Sequence, residues 1–108
     1  TMERFLELLH QHIDIVERLG ETIENGENYM EGIREYLPHL NQIITEILQI
    51  PQNSETGLEM NQAFVIQVLN DILYGIENRD SVFLLDVLRY GLLEIYFYIE
   101  KELQSEGA

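Results

Sequence analysis

The 108-residue chain contains no cysteine. That excludes disulfides, thiolate nucleophiles, and zinc or iron–sulfur sites built on thiolates. It also accords with a reducing compartment, where proteins do without disulfides. Basic residues are nearly as scarce. Six Lys and Arg stand against twenty Asp and Glu, giving a formal charge of −14. Lys101 is the only lysine, and Arg4, Arg18, Arg34, Arg79 and Arg89 are scattered singly. Binding a phosphate backbone needs clustered cations that displace counterions, so a nucleic-acid partner is not expected. An anionic bilayer repels such a chain for the same reason, and no membrane partner is expected either. A long apolar run is also missing. The most apolar stretch, 82–99, is interrupted by Asp86, Arg89 and Glu94, short of the ~18 consecutive apolar residues that a spanning helix requires. The start, Thr1-Met2-Glu3-Arg4, lacks the basic n-region and apolar h-region of a secretory signal. Met2 is read as the native start, and the expected location is the cytoplasm.

What is present is helical periodicity. An apolar fraction of 45% suits one packed domain, and a single helical-bundle domain over 1–108 is expected. Phe5, Leu8, Leu9, Ile13, Val16, Leu19 and Ile23 recur in steps of three and four, one stripe of a helix over about 2–24 that Asn25-Gly26 ends. Asn28 and Glu31 have the spacing of a capping box and open a second helix, about 28–49. Its stripe includes Tyr29, Ile33, Tyr36, Leu37, Leu40, Ile44 and Ile47. Pro38 lies inside it. Proline removes a helix hydrogen bond and crowds the preceding turn, yet the apolar phase passes through, so a kinked helix, or two short ones end to end, is expected. Ile50 to Gly57 reads as a loop. Thr56 and Glu59 form a second capping box before a helix over about 57–77, with Met60, Phe64, Val68, Ile72 and Ile76 on one line, widened by Ala63, Leu69 and Leu73. Asp80 caps a fourth helix over about 81–103 that is apolar nearly all round. With no stretch of period two, the expected fold is all-α: an antiparallel four-helix bundle of two helical hairpins. Ile23-Glu-Asn25 and Ile76-Glu-Asn78 repeat at the two hairpin turns, as a duplicated hairpin would, although aligned hairpins share apolar phase without common origin.

Few constellations carry chemistry. Glu7 and His10 have the Glu-x-x-His spacing of di-iron carboxylate bundles, but those need two such motifs and two further glutamates. His12 faces elsewhere, and His39 has no glutamate three residues before it. A surface Glu and His pair is the plainer reading. Asp86 and Arg89 are three apart and can meet on one helix face, or can mark the solvent stripe of the fourth helix. Asp80-Ser81-Val82 resembles the Asp-Ser-Leu of acyl carrier proteins, whose serine bears a prosthetic arm. Theirs lies on the second helix near mid-chain, whereas Ser81 opens the last long helix, where a capping role suffices. No catalytic residue, metal ligand or cofactor is therefore expected.

The six tyrosines offer a different signal. Tyr90, Tyr96 and Tyr98 cannot all face one core from a single helix, and the fourth helix carries more apolar surface than one bundle seam consumes. Leftover apolar surface marks a partner or self-association site, so Tyr90, Tyr96, Phe97 and Tyr98 form the candidate interface. The stretch from Asp80 through Asp86 and Tyr90 to Leu93 resembles a segment of small all-helical proteins of Firmicutes that have no assigned activity. The match is confined to residues 76–93. In those proteins a glutamate often follows the tyrosine, where this chain has Gly91. In size, acidity and helical form the chain is also similar to flagellar and type III export chaperones. The expected function is a non-enzymatic protein-interaction module, an adaptor or export-chaperone-like protein, binding a protein partner or itself through the fourth helix. The alternatives are a metal-binding helical-bundle enzyme and a small-ligand or carrier bundle.

Overall fold

The computed structural model describes residues 2–50 and 61–106, the last two as backbone. The expected loop beyond Ile50, the Thr56 and Glu59 capping pair, and Met60 lie outside the described residues. Among those described, the fold is all-helical. Helix α1 is Met2–Glu24, α2 is Met30–Leu48, α3 is Gln62–Glu77 and α4 is Ser81–Val87. A π turn, Leu88–Leu92, leads without a break into α5, Leu93–Glu106. Together α4, the π turn and α5 make one fourth helix.

Helix ends follow local chemistry. The Asp80 carboxylate accepts from the Phe83 amide at 3.0 Å and the Asn61 side chain from the Phe64 amide at 3.1 Å, each satisfying an amide that has no partner within its own helix. Helix α2 departs from the box expected at Asn28 and Glu31. It begins two residues later, with Tyr29 as the capping position and no side-chain cap. Asn28 Oδ1 instead accepts from the Met30 amide at 3.3 Å, a turn within the connection. Helix α2 then runs unbroken through Pro38.

The fourth helix lies between α1 and α3, and α2 packs against α1 on one side and α3 on the other. This placement accounts for apolarity on most of its sides. Leu9, Ile43, Ile47, Ile72, Leu84, Leu92 and Ile99 are among the fully buried side chains of one core. Two glycines let helices close together. A Cβ on Gly75 would stand 2.7 Å from Leu84 Cγ, and one on Gly91 3.1 Å from Val68 Cγ2. The π turn adjusts phase. Val82, Asp86, Tyr90 and Glu94, every fourth residue, are all exposed. A regular helix turns about 100° per residue, so this row would drift around it, and the wider turn absorbs the drift. The fourth helix continues to Glu106, past the end expected near 103. No helix among the described residues is long and apolar enough to cross a membrane.

Candidate functional site

Two features stand out once the core is filled: an apolar face that no described residue covers, and a polar chain inside the core. The apolar face is on α3. Its buried line is Val65, Val68, Ile72 and Gly75: Val68 and Ile72 are buried as the sequence predicts, while Val65 and Gly75 take the places expected for the neighbouring Phe64 and Ile76. Phe64 and Leu73, expected in the core, are therefore outside. Phe64, Ile66, Leu73 and Tyr74 are between 45% and 56% exposed. One of them, Leu73, lines a groove of about 230 Å³ formed with Leu37, Leu40 and Asn41 of α2 and with Leu69 and Ile72 of α3. Ile66, Leu69 and Leu73, at steps of three and four, form the α3 wall and its outward continuation. On the far side of α3, Tyr74 meets Phe83 edge to face, ring centres 5.5 Å apart. Helix α3 has no basic residue, and Asp71 and Glu77 are its only acids.

The fourth helix supplies a different surface. Of its candidate interface residues, Tyr90 is 71% exposed and Phe97 40%, and Tyr98 is half-buried. Tyr96 does not share that face: it is fully buried. Val82, Tyr90 and Phe97 lie along the exposed row but alternate with Asp86 and Glu94, so they are separate apolar points rather than a patch.

The polar chain joins three helices. Tyr36 Oη of α2 lies 2.6 Å from His12 Nδ1 of α1 and 2.8 Å from Tyr96 Oη of α5. All three side chains are buried. The imidazole also meets both rings at an angle, with centres 5.4 Å from Tyr36 and 6.0 Å from Tyr96. Burial disfavours the charged form of each group. It lowers the affinity of His12 for a second proton, and His39 nearby lowers it further. Burial likewise pushes both phenols far above their ordinary range. The direction of the chain follows from counting protons. Tyr96 has one hydroxyl proton, and no acceptor for it other than Tyr36 lies among the described residues. Tyr96 therefore donates to Tyr36, Tyr36 donates to His12 Nδ1, and His12 carries its proton on Nε2. His12 was read from the sequence as facing elsewhere. The signal for it was positional: it lies four residues before Val16 and three after Leu9, squarely on the buried stripe.

The other polar residues singled out in the sequence find partners across helices. His10 Nε2 is 2.7 Å from Glu100 Oε2 of α5, not paired with Glu7. Arg89 Nη1 donates to Glu24 Oε2 at 2.8 Å, not to Asp86, which is exposed. That bond holds the Glu24 carboxyl below its usual range and the guanidinium above its own. Among the described residues no three of His, Asp and Glu are grouped to hold a metal ion. Ser81 is the first residue of α4, beside the capping Asp80.

No protein-family model, no curated protein and no solved structure matches this chain.

Proposed function

We propose that the protein is a non-enzymatic protein-interaction module, an adaptor or export-chaperone-like bundle of the cytoplasm. Its docking surface is the outward face of α3 with the α2–α3 groove. Its occupant is an amphipathic helix of a partner protein, apolar on one face and basic on the other. The observation that carries this reading is the exposure of Phe64, Ile66, Leu73 and Tyr74 on one helix. Scattered single apolar residues are ordinary on a surface, whereas Ile66 and Leu73, on one helix face with Leu69 and continuous with an apolar groove, form a patch of the kind that partners cover. Charge selects among occupants. The groove lining is uncharged, and the field around it comes from a chain of formal charge −14. A second copy brings −14 against −14, while a basic helix is drawn in.

The scaffold for this surface is read as an antiparallel four-helix bundle kinked at Pro38. Supporting the antiparallel order, Gly32 approaches Leu19 while Tyr36 meets His12. Likewise Gly75 approaches Leu84 while Gly91 approaches Val68, and Glu24 meets Arg89 while His10 meets Glu100. In each pair of helices the residue numbers run in opposite senses. Supporting the kink, Pro38 has no amide for the carbonyl four residues before it.

The test uses two labelled helical peptides with the same leucine face, one with lysine and arginine on the polar face and one with glutamate. The basic peptide is expected to bind, with affinity reduced at least tenfold by Ile66→Glu or Leu73→Glu, both exposed positions that leave the core intact. Phe97→Glu is expected to leave binding unchanged. Equal binding of both peptides, or indifference to Leu73→Glu, overturns the reading. A concentration-dependent dimer in sedimentation velocity, broken by Leu73→Glu, assigns the face to a second copy instead.

A further inference from the structure

The His12–Tyr36–Tyr96 chain has a property that the docking reading does not use: its hydrogen-bond direction is fixed by one proton. With His12 neutral, every hydroxyl proton in the chain has an acceptor. Tyr96 donates to Tyr36 over 2.8 Å, and Tyr36 donates to the bare Nδ1 over 2.6 Å. When His12 binds a second proton, it does so at Nδ1, the nitrogen that was accepting. Nδ1–H must then donate to Tyr36 Oη, and Tyr36 must turn its own proton toward Tyr96. Tyr96, wholly buried, is left with a hydroxyl proton and no acceptor among the described residues. A buried donor without a partner bears its full desolvation cost, and a buried imidazolium adds to it.

We propose that this chain is an acid-operated lock on α2: one proton on His12 reverses the chain and releases α2 from α1 and α5. The lock sits where release has an effect. Tyr36 lies on α2 two residues before Pro38, and the same helix supplies Leu37, Leu40 and Asn41 to the groove wall. The surrounding charges do not relieve the imidazolium. From α2, His39 faces His12 and adds repulsion once protonated. From α5, Tyr96 is neutral, and Glu100, one turn further on, is already paired with His10 at 2.7 Å. Released α2 changes one wall of the groove, so the device links proton concentration to the shape of the docking surface.

The sign is fixed by the direction of the shift. The folded state binds a proton at His12 less readily than the unfolded chain, whose ordinary value is 6.5. The contribution of His12 to stability is therefore complete above about pH 7 and is lost as pH falls below 6.5. Two measurements on the whole chain test the lock. First, nitrogen-15 NMR of the imidazoles at pH 7.5 is expected to show His12 as the Nε2–H tautomer. Finding Nδ1–H overturns the proposal, because the chain then already runs the other way. Second, hydrogen exchange between pH 7.5 and 5.5, corrected for intrinsic rates, is expected to accelerate in α2 by at least tenfold relative to α3. The midpoint of thermal unfolding is expected to fall by about 5 °C over the same range. His12→Gln, whose amide oxygen still accepts from Tyr36 but does not titrate, is expected to abolish the fall, and His39→Gln to keep most of it. An equal fall in His12→Gln, or uniform acceleration across all helices, overturns the proposal. The tautomer and wild-type exchange stand even if that variant does not fold.

Discussion

Gly26 and Arg79 occupy the same place in two copies of one turn. Gly26 has φ 72° and Arg79 has φ 51°, both in the left-handed region. Around Gly26, the Gly26 amide bonds to the Ile23 carbonyl and the Glu27 amide to the Thr22 carbonyl, at 3.0 and 3.1 Å. Around Arg79, the Arg79 amide bonds to Ile76 and the Asp80 amide to Gly75, at 3.2 and 3.0 Å. These pairs define the Schellman ending of a helix, and they fall on the Ile-Glu-Asn repeat. Because this ending closes a large share of all helices, the shared turn needs no common ancestry.

Only one of the two positions has the residue the conformation favours. Glycine enters the left-handed region freely, whereas an L side chain there is strained. Arg79→Gly is expected to stabilise the protein by about 1 kcal/mol, the relief of strain exceeding the added freedom of the unfolded chain. The reverse change, Gly26→Arg, is expected to destabilise by a similar amount. Urea unfolding of the two variants against the parent checks both signs.

Gly75 and Gly91 set how closely α3 approaches the fourth helix. At Gly75 a methyl group meets Leu84 Cγ at 2.7 Å and Cδ2 at 2.9 Å, atoms of a fully buried side chain with no room to retreat. Gly75→Ala is expected to cost about 1–3 kcal/mol through overpacking. Gly91→Glu drives a carboxylate toward Val68 and is expected to cost at least as much. Thermal melts rank the two, and a neutral Gly75→Ala would mean that the helices are not held at this distance.

The polar chain predicts an asymmetry between its tyrosines. Tyr96→Phe removes the terminal donor and leaves Tyr36 still bonded to His12, a loss of about 1 kcal/mol. Tyr36→Phe removes the middle member and strands both the Tyr96 hydroxyl and His12 Nδ1. Its expected cost is about 2–4 kcal/mol, the sum of two unpaired buried groups. Equal costs in chemical unfolding would show that the three groups do not act as a directed chain.

The Glu24 and Arg89 pair is a surface contact and should behave as one. Its hydrogen bond lowers the Glu24 pKa from an ordinary 4.5, so its contribution is present above that value and lost as pH falls through the depressed one. Carboxyl carbon NMR is expected to show Glu24 titrating below its ordinary value, with the depression shrinking in about 0.5 M salt. Glu24→Gln is expected to leave the melting temperature nearly unchanged.

Much of the fold was legible because burial and periodicity are coupled. Leu9, Ile13, Val16, Leu19 and Ile23 step by three and four, and all are buried. Asp80 could be read as a cap because one side chain and one amide decide it. The fourth helix misled because two phases were read as one. Val87 and Leu88 are followed after five residues by Leu92 and Leu93, all four buried, a spacing that a regular helix cannot place on one side but a π turn can. Read without that turn, the helix looked apolar all round, and Tyr96 was assigned outward with Tyr90. Helix α3 misled for the opposite reason. So many of its positions are apolar that periodicity could not choose between the Phe64 and Val65 lines, and only its neighbours decide. The pairings of Arg89 with Glu24 and His10 with Glu100 join distant parts of the chain and leave no local spacing to find.

The two identical turns also bear on the order in which the chain acquires its structure. Each closes with backbone bonds spanning only a few residues, so α1 with α2, and α3 with the fourth helix, can each come together without waiting for the other. Local closure of this kind is associated with folding in microseconds to milliseconds. What it does not provide is Tyr36 against Tyr96, sixty residues apart, one contact between the halves. Assembly of the two halves across that contact is therefore the natural late event, and substitutions at Tyr96 should speed unfolding more than they slow folding.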